Sequence, residues 1–175
     1  VAEFRIAAAT ALDVPAILRL IHGLAEYEKL SHEVVATEDA LRESLFGARP
    51  AAEVLLAWPA ARTGSGDSHV ATPVAFALYF SNYSTFLGKA GIYLEDLFVL
   101  PEWRGTGMGK ALFTRVAQIA ARRNAGRMEW SVLDWNEPAL KFYRKLGAQP
   151  MGEWTVQRLT GEALRAAATA RLTPP

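Results

Sequence analysis

Apolar positions recur along the chain with two periods. Val14, Ile17, Leu18, Ile21 and Leu24 fall on one stripe at helical spacing. That predicts a helix from about Thr10, where Thr10 and Asp13 have capping-box spacing, to about Tyr27 and Glu28. Thr37 is a second N-cap, with Glu38 and Asp39 in the first turn, Leu41 and Leu45 as the buried face and Gly47 as the stop. Met108, Leu112, Val116, Ile119 and Ala120 form a third helical stripe. Asn136 and Pro138 suit a fourth helix start and Gly147 its stop. Short apolar runs predict strands over 4–6, 54–58, 74–80, 92–100, 128–133 and 154–159. A turn is expected over 82–88 and a glycine- and serine-rich connection over 59–69. The last dozen residues are alanine-rich, a helix or a frayed tail.

The expected order is β-α-α-β-β-β-α-β-α-β. Consecutive strands come first and predict antiparallel pairing; strand-helix-strand units come later and predict a parallel pair. The expected fold class is α/β: one mixed sheet with helices on both faces, in a single domain over 1–175.

The segment Arg104-Gly105-Thr106-Gly107-Met108-Gly109-Lys110 lies between a predicted strand and a predicted helix. Glycines there let backbone N–H groups approach a ligand, and the helix N-terminus adds partial positive charge, which suits a phosphate or pyrophosphate. Two other phosphate loops are excluded. A Walker A loop needs Ser or Thr after its lysine, and Ala111 follows Lys110; a G-x-G-x-x-G fingerprint needs glycine where Lys110 stands.

Arg-x-x-Gly-x-Gly after an apolar strand resembles the coenzyme A loop of the GNAT N-acetyltransferase superfamily. Asn136-Glu137-Pro138-Ala139 and Phe142-Tyr143-Arg144-Lys145-Leu146-Gly147-Ala148 resemble that superfamily's last helix. Tyr27-Glu28, Tyr93-Leu94-Glu95-Asp96 and Trp135-Asn136-Glu137-Pro138 are similar to the spermidine/spermine (diamine) N-acetyltransferases, a subfamily that includes thialysine acetyltransferases. The chain departs from the polyamine enzymes over 81–88, where they carry an acidic residue and it has Asn82, Tyr83 and Ser84.

The resemblance implies a GNAT fold and acetyl transfer from acetyl-coenzyme A to a primary amine of a diamine, polyamine or thialysine-like amino acid, by direct attack in a ternary complex. It places the cofactor on Leu97, Phe98 and Val99, on Arg104, Gly105, Thr106, Gly107, Met108, Gly109 and Lys110, and on Asn136, Pro138 and Tyr143. A bulge in the strand carrying Leu97 is expected to free a backbone N–H for the acetyl carbonyl. Tyr27, Glu28, Glu95, Trp130 and Glu153 match positions near the amine; Glu28 is equally readable as a solvated helix-end charge, and Trp130 and Trp154 as core. A homodimer is also implied. The rival readings are another acceptor, such as an aminoglycoside or a protein N-terminus, and a non-catalytic acyl-coenzyme A sensor.

The chemistry needs a base, because an alkylamine with pKa near 10.4 is neutral only about once in 2,500 molecules at pH 7, a deficit of roughly 4.6 kcal/mol. Glu95 and Asp96 sit together in an apolar strand. Adjacent strand residues face opposite ways, so one of them can face a cleft. The resemblance selects Glu95 as base and amine anchor; a purely structural reading has both carboxylates pairing with basic neighbours, and it is the expectation for Asp96. The resemblance selects Tyr143 as the acid beside the sulfur, since a phenol can donate to a departing thiolate.

Composition narrows the rest. Nineteen basic and 18 acidic residues give a net charge of +1, no basis for nucleic-acid or anionic-membrane binding. The absence of cysteine excludes disulfides, thiolate metal sites and a cysteine nucleophile. His22, His32 and His69 lack metal-ligand spacing, so no metal is expected. With no apolar run of about 18 residues and no signal-peptide pattern, the expected location is the cytoplasm.

Overall fold

The computed structural model describes residues 3–60 and 72–170. The predicted connection over 59–69 lies mostly outside these residues. The chain divides into two compact units, Val1–Ser131 and Val132–Pro175.

In the first unit the strands are β1 (Phe4–Ala8), β2 (Glu53–Pro59), β3 (Ala75–Ser84), β4 (Lys89–Val99) and β5 (Met128–Glu129). They form one sheet in the order β1-β2-β3-β4-β5. The first three pairings are antiparallel and β4 with β5 is parallel. The helices are α1 (Val14–Glu28), α2 (Glu38–Phe46) and α3 (Met108–Arg122). The Thr10 backbone N–H donates to the Asp13 carboxylate at 2.8 Å, fixing the turn that leads into α1. The Ala40 N–H donates to the Thr37 hydroxyl at 3.2 Å, so Thr37 caps α2 as its position predicted.

β2 is buried on both sides, and its alternation sorts the core. Val54, Leu56 and Trp58 pack with Ile17, Leu20 and Leu45 of α1 and α2. Leu55 and Ala57 pack with Leu112, Val116 and Ile119 of α3. Helices therefore cover both faces of the sheet, and the strand reads as a continuous apolar run. Burying a side chain such as Leu56 contributes roughly 1.5–3 kcal/mol.

One irregularity organises β4. Leu78 opposes Asp96, but the next residue, Tyr79, opposes Leu94. Glu95 is the extra residue of a β-bulge. Ile92 and Leu94 before it pack on the α3 face, and so do Leu97 and Val99 after it. Phe98 packs on the α1 and α2 face. Unbroken alternation would put Leu94 and Phe98 on the same face; the inserted residue reverses the sense. The expected bulge is thus present, ahead of Leu97.

Three expectations are corrected. The predicted turn over 82–88 is shorter, since β3 runs to Ser84 and pairs Asn82 with Gly91 and Ser84 with Lys89. The strand expected over 128–133 pairs only at Met128 and Glu129, opposite Ile92 and Tyr93. It stops where the bulge bends its neighbour. The strand expected over 154–159 does not form, and Trp154, Val156 and Leu159 are exposed. Its alternating pattern finds no strand among the described residues of its own unit, and a lone strand leaves its ladder groups unpaired.

The second unit contains α4 (Glu137–Lys145) and α5 (Gly161–Thr169) among its described residues. Of the alanine-rich tail, the part up to Thr169 is helix in α5, and residues 171–175 lie outside the described ones. α4 ends in a Schellman motif: the Ala148 N–H bonds the Tyr143 carbonyl at 3.2 Å and the Gly147 N–H bonds the Arg144 carbonyl at 3.1 Å. Gly147 has φ +89°, the left-handed conformation this stop requires.

Deleting Glu95 should restore an unbroken β3–β4 ladder and leave Asp96 to Val99 on their present faces. The shortened protein should melt cooperatively within about 5 °C of the full chain. Inserting alanine between Leu97 and Phe98 should turn Phe98 out of its core and cost about 3–5 kcal/mol. Thermal melts by circular dichroism separate the two, and a deletion as damaging as the insertion would remove the bulge assignment.

Candidate active site

The loop before α3 has the geometry of an anion cradle. Gly105 (φ +77°) and Gly107 (φ +94°) are left-handed, and a Cβ built on either would meet no atom within 4 Å. The space above them is open. The first intrahelical bond of α3 runs from the Ala111 N–H to the Gly107 carbonyl at 3.0 Å. The N–H groups of Met108, Gly109 and Lys110 therefore have no acceptor within the helix, and no side chain caps Gly107. These donors suit an anionic ligand such as a phosphate or pyrophosphate.

The side chains around the cradle divide their tasks. Thr106 donates its hydroxyl to the Trp103 carbonyl at 2.7 Å and so braces the loop. Arg104 donates from Nε to the Val99 carbonyl at 3.1 Å, and its guanidinium stacks over the Tyr27 ring at 4.2 Å. It thus ties the cradle to the end of α1. Met108 and Phe98 are core residues, 1% and 3% exposed, which leaves only their backbone for a ligand. From Asp96 to Val99, β4 pairs with β3 along one edge, and among the described residues no strand of the first unit pairs with the other. That edge suits an extended ligand arm bearing amides.

α1 ends at Glu28 because Lys29 turns left-handed, with φ 61°. This places Glu28 toward the bulge of β4, where it meets a second set of carboxylates. Glu95 is exposed and Asp96 half-buried. Burial, then the Glu95 charge, then the Glu28 charge push the Asp96 carboxyl up to about 7. Glu28 is itself raised by burial. No arginine, lysine or histidine among the described residues pairs with any of the three. Asp96 was expected to pair with a basic neighbour; the structure surrounds it with acidic ones. Part of this environment, Glu28, comes from α1, far away in the chain, where local spacing gives no signal.

The other predicted residues lie elsewhere. Trp130 is half-buried against the α3 face of the sheet, edge-on to Phe113 at 5.2 Å. Tyr27 packs on the opposite face, so the structure does not bring these two together. Asn136, Pro138, Tyr143 and Glu153 belong to the second unit. Asn136 caps α4 by accepting the Ala139 N–H at 3.3 Å, with Pro138 in the first turn. Tyr143 lies in the last turn of α4, its ring edge-on to Phe142 at 5.1 Å. Glu153 lies in an exposed turn. No group of three metal-ligating side chains occurs among the described residues.

The model of the acetyltransferase (GNAT) family matches residues 22–148. The chain belongs to the GNAT acetyltransferase family. It is 40% identical to the thialysine N-epsilon-acetyltransferase of Mus musculus, covering 94% of this chain and 96% of that protein. It is 39% identical to the L-ornithine N5-acetyltransferase NATA1 of Arabidopsis thaliana, covering 93% and 86%. Among solved structures, an integron cassette protein from the mobile metagenome of V. cholerae shares the fold. Its TM-score is 0.75 at 23% identity, with 95% of this chain and 98% of that one covered. The family's co-substrate is acetyl-coenzyme A.

The raised Asp96 carboxyl makes stability depend on pH. In the unfolded acetyltransferase Asp96 ionises near 3.9; in the folded one it holds its proton to about 7. Between those values the folded state binds more protons, so Asp96 lowers stability progressively as pH rises from about 4 to about 7. Asp96→Asn, which carries no charge, should melt higher than wild type at pH 8, with the gap closing toward pH 4. Melting curves across that range test this, and a gap independent of pH would contradict it.

Proposed function

We propose that this acetyltransferase acetylates the terminal primary amine of a small cationic acceptor, a thialysine- or ornithine-like amino acid or a diamine or polyamine. The observation that carries the reading is the set of Glu28, Glu95 and Asp96, which have no cationic partner among the described residues. An alkylammonium supplies the missing positive charge. The names of the two relatives above support the amino-acid acceptors. The family match over 22–148 runs through both compact units, which supports one acetyltransferase domain over 1–175. A cytoplasmic homodimer is part of the same reading.

Each residue then has a task. The N–H groups of Met108, Gly109 and Lys110 hold the donor's pyrophosphate, and Gly105 and Gly107 keep the approach clear. The open edge of β4 at Leu97 and Val99 takes the amides of the donor's arm. The bulge at Glu95 interrupts the ladder and leaves a backbone donor for the acetyl carbonyl oxygen. Glu95 is exposed on that bulge and collects the amine proton, directly or through water. Glu28 and Asp96 draw in the ammonium before it is deprotonated. Tyr143 gives a proton to the departing sulfur.

A thiol-release assay over an amine panel tests the acceptor. Thialysine, ornithine, a diamine and spermidine should turn over, and an aminoglycoside and an N-terminal peptide should not. Turnover with none of them alongside intact donor binding would make the chain a sensor. Glu95→Gln should lose most activity at neutral pH, with the loss shrinking as the amine deprotonates at higher pH. Tyr143→Phe should lower turnover about 10²- to 10⁴-fold while changing KM for acetyl-coenzyme A little. A pH-independent loss at Glu95, or full turnover in folded Tyr143→Phe, would remove the assigned role.

A further inference from the structure

A second site is built on the far side of α3. Between β1 and α3 lies a cavity of about 290 Å³, walled by Ala7 of β1, Leu55 of β2 and Ile119 of α3. Its polar lining is Glu53, Tyr79, Arg115, Arg122 and Arg123. This is a different set from the glycine cradle and the Glu28–Asp96 carboxylates.

The floor of the cavity is rigid. Arg123 grips Glu53 with two bonds, Nη1 to Oε1 at 2.6 Å and Nη2 to Oε2 at 2.7 Å. The Tyr79 hydroxyl donates to Glu53 Oε2 at 3.3 Å, and Tyr79 is only 3% exposed. This bidentate pair is neutral overall and pre-aligned. The other two guanidiniums are not used up. Among the described residues, Arg115 reaches only Gln118 Oε1, at 3.4 Å. Arg122 makes no ion pair among the described residues. Seven residues apart on α3, they lie two turns apart on one face. Three guanidiniums face one carboxylate, so the cavity carries an excess of two positive charges over an apolar wall.

We propose that this cavity binds a small dianion, a compact molecule with two carboxylates or one phosphate monoester, at a site separate from acetyl transfer. Two unpaired guanidiniums match two negative charges, and planar forks bind carboxylate and phosphate oxygens bidentately. The volume admits a molecule of a few heavy atoms. The cavity is continuous in lining with a shallower groove that runs past Lys110 to Gly107, the two sharing Ile6 and Arg115. One dianion could therefore come from the donor itself, the 3′-phosphate of coenzyme A, and the experiment has to separate it from a free ligand.

The test is calorimetric titration of the whole protein with inorganic phosphate and with succinate, in a buffer free of both. Saturable binding of at least one probe is expected, one per chain, with Kd on the order of 1 mM or tighter. Arg115→Gln with Arg122→Gln should weaken it about tenfold or more while the melting temperature and the acetylation rate stay at wild type. Binding should persist when coenzyme A is saturating. No saturable binding of either probe would overturn the proposal, as would equal binding by the double variant. Loss of binding with coenzyme A but not with dephospho-coenzyme A would assign the arginines to the donor's 3′-phosphate and overturn the separate site.

Discussion

One extra residue in β4 sets the rest of the arrangement. A strand has a period of two, so every side chain beyond an insertion changes face. Glu95 is that insertion. It allows Leu94 to fill the α3 core and Phe98, four residues on, to fill the core beneath α1 and α2. The same residue turns Asp96 toward Glu28 and coincides with the end of pairing to β5. Packing on two faces, an open strand edge and a carboxylate cluster therefore share one cause. A regular strand could supply the packing but would keep its ladder with β3 intact at that point.

The features legible in the sequence were those written in residue type and local spacing. The Thr37 cap, the apolar stripe of α3, the glycine cradle and the Gly147 stop each depend on a few neighbouring residues. Each appeared where its pattern placed it. The bulge had no such signature, because an added Glu between Leu94 and Asp96 leaves a composition any strand could carry. Asp96 was misjudged for a related reason. Which charges surround it depends on where α1 ends, and that is a tertiary fact. The expected strand over 154–159 shows the converse. Alternation describes a surface that needs partners on its edges, and the unit it belongs to has none to offer.

α3 shows how one helix can serve two electrostatic purposes. Its N-terminus presents unpaired N–H groups beside Gly105 and Gly107, and the helix dipole favours an anion there. Farther along, it carries Arg115 and Arg122, with Arg123 at its C-cap, above the Glu53–Tyr79 floor. Its apolar face, Leu112, Val116 and Ile119, is locked against the sheet. Rigid attachment of that face keeps both ends at fixed positions, which is what backbone donors need, since they cannot adjust as side chains can.

The carboxylate cluster costs stability, and that cost bears on its purpose. Burial is the main obstacle to ionising Asp96, and the charges of Glu95 and Glu28 add to it, while burial alone raises Glu28. A structural role would place an arginine among them, as the fold does at Glu53, where Arg123 holds the carboxyl below its ordinary range. The two sites are a contrast within one chain: a satisfied carboxylate where rigidity matters, and an unsatisfied set beside the bulge. On the function proposed above, an ammonium beside these carboxyls lowers the proton affinity of Asp96 and favours its charged form. Binding and ionisation then reinforce each other, and the positive charge that favours the acceptor is the one that must be removed before it attacks.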